Sequence, residues 1–440
     1  MLAVQKAHIR GTLHRPLVNS TLAAEALGGI DLARAAAART SPQRLAYLLR
    51  AARRVQSTVI RDQIVRRLQP YLVGDETSVA RDARINWERY ITTFGRINER
   101  RALSTSLLLK APGPNGEKGV LYVSFEYNWL KLIAHHDTRR LLDEYIIVGA
   151  SSYSPTDFAP IASFAGLSDD PLFIGVSNIA DVERYAMFRP VLEPLPLMAC
   201  DWNDPAMFDP LPRESRDVEI VMVANWLLLK RHWLLFAALR RLPRHWRVVL
   251  IGRDAPGRSE REIRAEARAL GVRQELELHT NLPFERVADW LSRGRVSPLL
   301  TDREGSCVAV TEAMFADTPV VMMRDAHVGS KAHINAETGA LATPEDLWRV
   351  LGDFVTGDRV AAPRAWAIAN ISAQRSTERL NAMLKAHAER TGRPWVTDIT
   401  PLCWRYVPAY LDRGDAARME PAVQALQAKH GVELVKFVYS

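Results

Sequence analysis

Cysteine is scarce in this chain, with three in 440 residues, at positions 200, 307 and 403. An odd number so widely separated excludes a disulfide framework and offers no paired-cysteine spacing for zinc, so Cys307 reads as a small buried residue and no metal is expected. Long apolar runs are absent too. No stretch approaches the roughly 20 residues that cross a bilayer, and the first thirty residues lack the charged start, apolar centre and cleavage site of a secretory signal. A cytoplasmic protein is expected. With hydrophobic residues at 48% and charged residues at 25%, the composition is that of an ordinary globular protein rather than a disordered one. The length predicts two or three domains.

The net charge of +8 is unevenly placed. Residues 1–110 hold 19 Lys and Arg against 8 Asp and Glu, an excess of 11, which leaves the rest of the chain at about −3. This basic segment is rich in Ala, Leu and Arg, and its apolar residues recur three and four apart through "SPQRLAYLLRAARRVQSTVIRDQIVRRLQPYL" and "SVARDARINWERYITTFGRINERRALSTSLLLK", which predicts amphipathic helices. Ser41-Pro42 supplies a helix start, with a capping hydroxyl before a first-turn proline. Two readings stay open for the arginines. They coat the outside of a helical bundle, or they form a surface for anionic lipid headgroups, an acidic glycan or a protein partner, giving a peripheral position at the inner membrane surface. Nucleic acid is not expected, since no reading motif accompanies the charge.

"KAPGPNGEKG", residues 110–119, reads as a linker. After it, "VLYVSF", "NWLKLIAHHDTRRLLDEY" and "IIVG" give strand, helix and strand, and "PLFIGVS" adds a further strand. Six prolines between 190 and 212 then exclude a single regular element. Alternation restarts with "VEIVMVAN", "KRHWLLFAALRRLP", "RVVLIG", "SEREIRAEARALGV", "LELHTNL", "FERVADWLSRG", "VSPLL", "AVTEAMFAD" and "PVVMM". The expected organisation is a basic helical segment over 1–112, a Rossmann-like domain over 113–200, a linker over 201–217, a second Rossmann-like domain over 218–365, and a C-terminal helical segment over 366–440.

Within the second domain, "REGSCVAVTEAMFADTPVV" places Glu304 and Glu312 on either side of a strand-to-helix turn, where ligands bind a parallel sheet. With Ser306 as N-cap, the amides of Cys307 and Val308 would face an anion. A carboxylate accepts two hydrogen bonds and so grips vicinal hydroxyls. Two carboxylates around a phosphate cradle describe a nucleotide-sugar site. The competing reading is a surface glutamate followed by a structural one.

"EGSCVAVTEAMFADTPVV" resembles the Glu-x7-Glu segment of retaining GT-B glycosyltransferases of the family 4 kind, and the likeness runs from about Val218 to Leu351 through "VVLIGRD", "LGVRQELELHTNLPFERVADWLSRG" and the turn at Gly339 in "NAETGAL". "NISAQRSTERLNAMLKA" is similar to the helix that crosses back to the first domain in that fold. The resemblance implies an α/β GT-B fold, with two Rossmann-like domains facing a cleft. It implies that Glu312 binds the ribose hydroxyls of a UDP- or GDP-sugar, that Glu304 contacts the transferred sugar, and that Gly305, Ser306, Cys307 and Val308 line the sugar and diphosphate. Lys230 would neutralise the leaving diphosphate, with no cofactor and no metal. Asn225 stands where the family has an arginine and Arg231 where it has a glycine, so Arg231 or Arg253 is the candidate second cation. "SFEYNWLK", residues 124–131, replaces the family's glycine-rich loop, and Glu126, His135 and His136 are the acceptor-side candidates. The implied activity is retaining, metal-independent sugar transfer to a glycan, lipid-linked or protein acceptor, as in polysaccharide biosynthesis. Its mechanism is same-face attack with the acceptor proton passing to the leaving phosphate, and double displacement at Glu304 is the weaker alternative. The rival class is a catalytically silent GT-B scaffold acting through its basic helices, kept open by Asn225.

Overall fold

The computed structural model describes residues 21–55, 57–82, 101–405 and 407–435. The chain divides into two compact units, one comprising Ala199–Arg375 and the other the described residues up to Met198 together with those from Ser376 onward. Among the described residues no helix is long and apolar enough to cross a membrane.

The first unit to appear in the chain opens with helices α1 (Thr21–Ala37), α2 (Ser41–Arg54), α3 (Thr58–Leu72) and α4 (Thr77–Asp82). The cap of α2 is Thr40 rather than Ser41, its hydroxyl accepting from the Gln43 amide. Leu45, Leu48, Leu49, Ala51 and Ala52 form the buried stripe of α2, as the three-and-four spacing requires. Some of the arginines are internal braces rather than coating. Arg53 donates to the Pro155 carbonyl at 3.2 Å and Arg81 to that of Ala165 at 2.9 Å, so the helices belong to the same unit as the sheet that follows instead of standing apart over 1–112. The helix expected between residues 83 and 100 lies outside the described residues.

That sheet has five strands in the order β2 (Ser106–Lys110), β3 (Gly119–Val123), β4 (Tyr145–Ala150), β5 (Leu172–Gly175) and β6 (Leu192–Leu195), parallel except for the β2–β3 pair. Three expectations change here. "SLLLK" is an edge strand and not the end of a helix. Residues 110–119 are then the β2–β3 connection, closed by a Lys110–Glu117 ion pair at 2.5 Å, and not an interdomain linker. The stretch 126–144 is two helices, α5 (Glu126–His135) and α6 (Thr138–Glu144), because Asp137 caps a new start by accepting from the Arg140 amide. A two-residue strand β1 (Leu103–Ser104) pairs with the C-terminal β15 (Leu434–Val435).

The other unit carries a six-stranded parallel sheet in the order β12-β11-β10-β7-β8-β9. Its strands are β7 (Val218–Val223), β8 (Val248–Gly252), β9 (Leu276–Thr280), β10 (Gly294–Leu299), β11 (Val320–Met323) and β12 (Gly339–Ala342), joined by α7 (His232–Leu239), α8 (Glu260–Ala269), α9 (Phe284–Arg293), α10 (Val308–Phe315) and α11 (Leu347–Thr356). The first three strands run outward to one side and the last three to the other, the doubly wound order of a Rossmann fold with its switch point between β7 and β10. Covered on both faces, these strands read as continuous apolar runs, and β8 and β11 are wholly buried. Gly339 opens β12 rather than a turn, because a Cβ there would lie 1.9 Å from the Val320 carbonyl oxygen.

Residues 199–217 are not a free linker. They form short 3-10 turns packed into this unit, with Asn203 Nδ2 donating to Thr311 Oγ1 at 2.8 Å on α10. After α12 (Pro363–Ile371), Ser372 bridges to Asn203, whose carbonyl accepts from the Ala373 amide at 2.9 Å. The C-terminal part is mixed rather than purely helical. Helix α13 (Ala373–Arg390) is followed by an antiparallel hairpin of β13 (Leu402–Arg405) and β14 (Val407–Tyr410), and then by α14 (Asp415–His430).

Candidate functional site

At the switch point the connections leaving β7 and β10 turn opposite ways, at the strand ends where a parallel sheet of this order binds ligands. From β7 the chain runs through Asn225 and Trp226 into the turn Leu228–Lys230. From β10 it runs through Thr301 to Glu304. Lys230 Nζ donates to both carboxylate oxygens of Glu304, at 2.7 and 2.6 Å, so an ion pair joins the two loops. Lys230 is 9% exposed and Glu304 29%. Burial works against the ammonium, but the charges of Cys307 and Glu304 outweigh it and hold the Lys230 pKa above its ordinary value. At neutral pH the carboxylate is the acting partner, because burial pushes the Cys307 thiol far up and leaves it uncharged.

The glutamate loop is strapped by backbone hydrogen bonds. Glu304 N donates to the His327 carbonyl at 3.0 Å, His327 N to Asp302 at 2.8 Å, Gly329 N to Gly305 at 2.8 Å and Ser330 N to Ser306 at 3.2 Å. Helix α10 begins one residue later than Ser306 as cap would require. Cys307 is the cap, in the left-handed region at φ 51° and ψ 80°, and no side-chain oxygen completes it. The amino end of α10 is therefore presented from Val308 onward.

Glu312 lies on α10 and is buried. Desolvation lifts its pKa to about 7, partly opposed by the positive charge of Arg253. Arg253 is exposed in the loop after β8, and its carbonyl accepts from the Trp226 amide at 3.0 Å. The Cys307 thiol feels the charges of Glu304, Lys230 and Glu312, so the cap lies within electrostatic reach of all three.

Arg231 is placed differently. At φ 53° it caps α7, and its guanidinium is buried, donating to the carbonyls of Leu300 and Thr301 and lying 3.7 and 3.4 Å from Asp302 and Asp325. It braces the β10 loop from inside, on a left-handed backbone that a glycine would adopt more freely. Asn225 keeps a buried side-chain oxygen without a hydrogen-bond partner, an acceptor rather than a cation. Two residues absent from the sequence-derived set stand beside it. The indole of Trp226 packs on Gly252, where a Cβ would come within 2.7 Å of three ring atoms. His232 is buried beside the Ala224 backbone, and desolvation with the nearby charges of Arg258 and Lys230 drives its pKa to about 3. Its place directly after Lys230 and Arg231 was the available signal.

The acceptor-side candidates lie in the other unit. The Glu126 carboxyl is buried and its pKa raised by desolvation. It accepts from the Ser152 amide and hydroxyl and from the Thr156 hydroxyl, so its oxygens are already engaged. His135 is exposed near the end of α5, and His136 caps that helix, its Nε2 lying 3.3 Å from the Arg101 carbonyl.

The doubly wound sheet, with the Lys230–Glu304 ion pair at its switch point, is of the Rossmann class. Residues 203–352, which lie within this unit, match the family described as glycosyl transferases group 1. Over 183 residues the chain is 33% identical to the D-inositol 3-phosphate glycosyltransferase of Xylanimonas cellulosilytica, a match covering 40% of this chain and 43% of that enzyme. The chain thus spans less than half the length of that relative. Among solved structures, sucrose-phosphate synthase from Thermosynechococcus elongatus aligns at 16% identity and a TM-score of 0.46, covering 62% of this chain and 74% of that one. Anabaena HepE in complex with UDP and glucose aligns at 12% and 0.49, covering 61% and 78%.

Proposed function

We propose that this protein is a retaining glycosyltransferase of the family 4 kind, moving a sugar from a UDP- or GDP-sugar to a glycan, lipid-linked or protein acceptor. The observation that carries the reading is the meeting of Lys230 and Glu304 across the switch point, with Glu312 buried on the helix that follows. In this reading Glu312 accepts hydrogen bonds from the ribose hydroxyls, with Arg253 beside it. As the bond from the anomeric carbon to the diphosphate breaks, negative charge grows on the departing oxygen. The Lys230 ammonium and the amino end of α10 stabilise it, without a divalent cation on the phosphates. The acceptor oxygen bonds to the anomeric carbon on the same face, and its proton passes to the departing phosphate oxygen. Glu304, held by Lys230, orients the sugar. The curated relative's name, a glycosyltransferase acting with an inositol phosphate, supports the transfer class. A cytoplasmic location, with the arginines of α2 and α3 towards an anionic surface, accords with this reading.

Thermal-shift and saturation-transfer measurements with UDP-, GDP- and ADP-sugars test it, followed by donor hydrolysis. Response to one nucleotide class is expected, with hydrolysis lost in both Glu304→Gln and Glu312→Gln. Hydrolysis surviving in both variants defeats the assignment. A second reading, a catalytically silent scaffold, is favoured by one observation: Asn225 holds the arginine position while the Arg231 guanidinium is spent on internal carbonyls. It predicts no nucleotide response at all.

A further inference from the structure

A second constellation in the Ala199–Arg375 unit has no part in the proposed sugar transfer. Cys200 and Asp201 lie in the 3-10 turn Ala199–Trp202, and His333 ends the turn Gly329–His333. One donor atom from each lies within 4.8 Å of the other two. Cys200 Sγ is 3.3 Å from Asp201 Oδ1 and 3.8 Å from His333 Nε2, and the latter two atoms are 2.7 Å apart. Cys200 is fully buried, with the side chains of Asp201 and His333 only 6% and 12% exposed.

The pattern of contacts separates two chemistries. A nucleophilic triad passes a proton through the imidazole, so thiol and carboxylate must meet different ring nitrogens. Here both face Nε2, and three donors converge on one point. We propose that Cys200 Sγ, Asp201 Oδ1 and His333 Nε2 form a resident metal site of the zinc type, three protein ligands with water as the fourth.

The spacing suits that ion. With metal–sulfur bonds of about 2.3 Å and metal–nitrogen or –oxygen bonds of about 2.0–2.1 Å, tetrahedral edges are about 3.6 Å to sulfur and about 3.4 Å between nitrogen and oxygen. The two edges to sulfur already match to within about 0.3 Å, and the imidazole and carboxylate need to part by roughly 0.7 Å. A mixed sulfur, nitrogen and oxygen set selects a borderline cation over magnesium or calcium. On binding, the Cys200 S–H bond breaks, a sulfur–metal bond forms and the proton leaves to solvent, while Nε2 gives its lone pair as the imidazole proton settles on Nδ1.

The site also has a position in the fold. The Cys200 carbonyl accepts from Thr311 Oγ1 at 2.9 Å on α10, and Gly329 and Ser330 hold the backbone of Gly305 and Ser306. The ion would thus clamp two segments that each support the glutamate loop. Its loading is separable from the sugar chemistry, because it can be read without any donor.

The test uses the full-length protein, stripped by chelator and titrated with Co²⁺ alone. One equivalent should bind with a thiolate-to-cobalt charge-transfer band, be displaced by Zn²⁺, and raise the melting temperature. Cys200→Ser should abolish the band, Cys307→Ser and Cys403→Ser should keep it, and His333→Gln and Asp201→Asn should each weaken binding at least about 10- to 100-fold. No band, a band surviving Cys200→Ser, or unchanged affinity in His333→Gln overturns the proposal. Should Cys200→Ser fail to fold, the affinities of the His333 and Asp201 variants decide it.

Discussion

Glu312→Gln should make the protein more stable at alkaline pH while weakening its grip on a nucleotide. In the folded chain desolvation lifts the Glu312 pKa from 4.5 to about 7 despite Arg253. Between those values the folded state therefore binds more protons than the unfolded state. The stabilising contribution is fully present below pH 4.5 and is lost as pH rises through 7. A shift of this size corresponds to roughly 3 kcal/mol by linkage. Glutamine has nearly the same shape and no charge, so the variant does not incur this loss. Melting curves of wild type and variant from pH 5 to 8 should diverge as pH rises, the wild type falling behind by about 6–12 °C at pH 8 for a unit of this size. Nucleotide affinity should move the other way, weaker in the variant by about tenfold at pH 8. In the wild type it should rise with pH up to about 7, because the ionised carboxylate accepts the ribose hydroxyls. Parallel melting curves would refute the burial argument. An unchanged affinity would refute the contact with ribose.

Replacing Lys230 by Met should lower turnover about 100-fold or more, with a smaller change in nucleoside diphosphate binding, since its charge is needed most as the diphosphate departs; a purely KM effect would contradict that role. Arg231→Lys should cost roughly 2–3 kcal/mol by denaturant titration because its fork to two carbonyls is lost, with donor affinity kept. Loss of affinity at unchanged stability would instead assign Arg231 to the ligand. Gly252→Ala should destabilise by about 1–3 kcal/mol as its methyl meets the Trp226 ring, seen in melting temperature and in the tryptophan near-ultraviolet signal.

The alternation of residues 218–356 was legible because a parallel sheet covered on both faces writes its strands as uninterrupted apolar runs such as "VVLIG" and "PVVMM". The α/β class and the two Rossmann-like units followed from it. Edge elements were not legible in the same way. "SLLLK" continues an apolar spacing that suits a helix equally well, and β6 contains Pro194 amid prolines that argue against any strand. Local conformation misled at two points. The loop before α10 looks like a serine cap until the left-handed backbone of Cys307 is known, and Arg231 looks like a phosphate ligand until its carbonyl partners are known. Cys200, Asp201 and His333 escaped notice for a topological reason: more than 130 positions separate His333 from the adjacent pair, and packing against α10 brings them together.

The bridge between Asn203 and Ser372 has a further consequence. The chain enters and leaves the second unit through one doorway, so that unit is topologically an insert threaded into the other. The stretch between the two crossings, Ala199 to Arg375, holds the whole six-stranded ladder, the charged switch point and both proposed sites. All six of its strands fall within that stretch, and none of the other unit's described strands does.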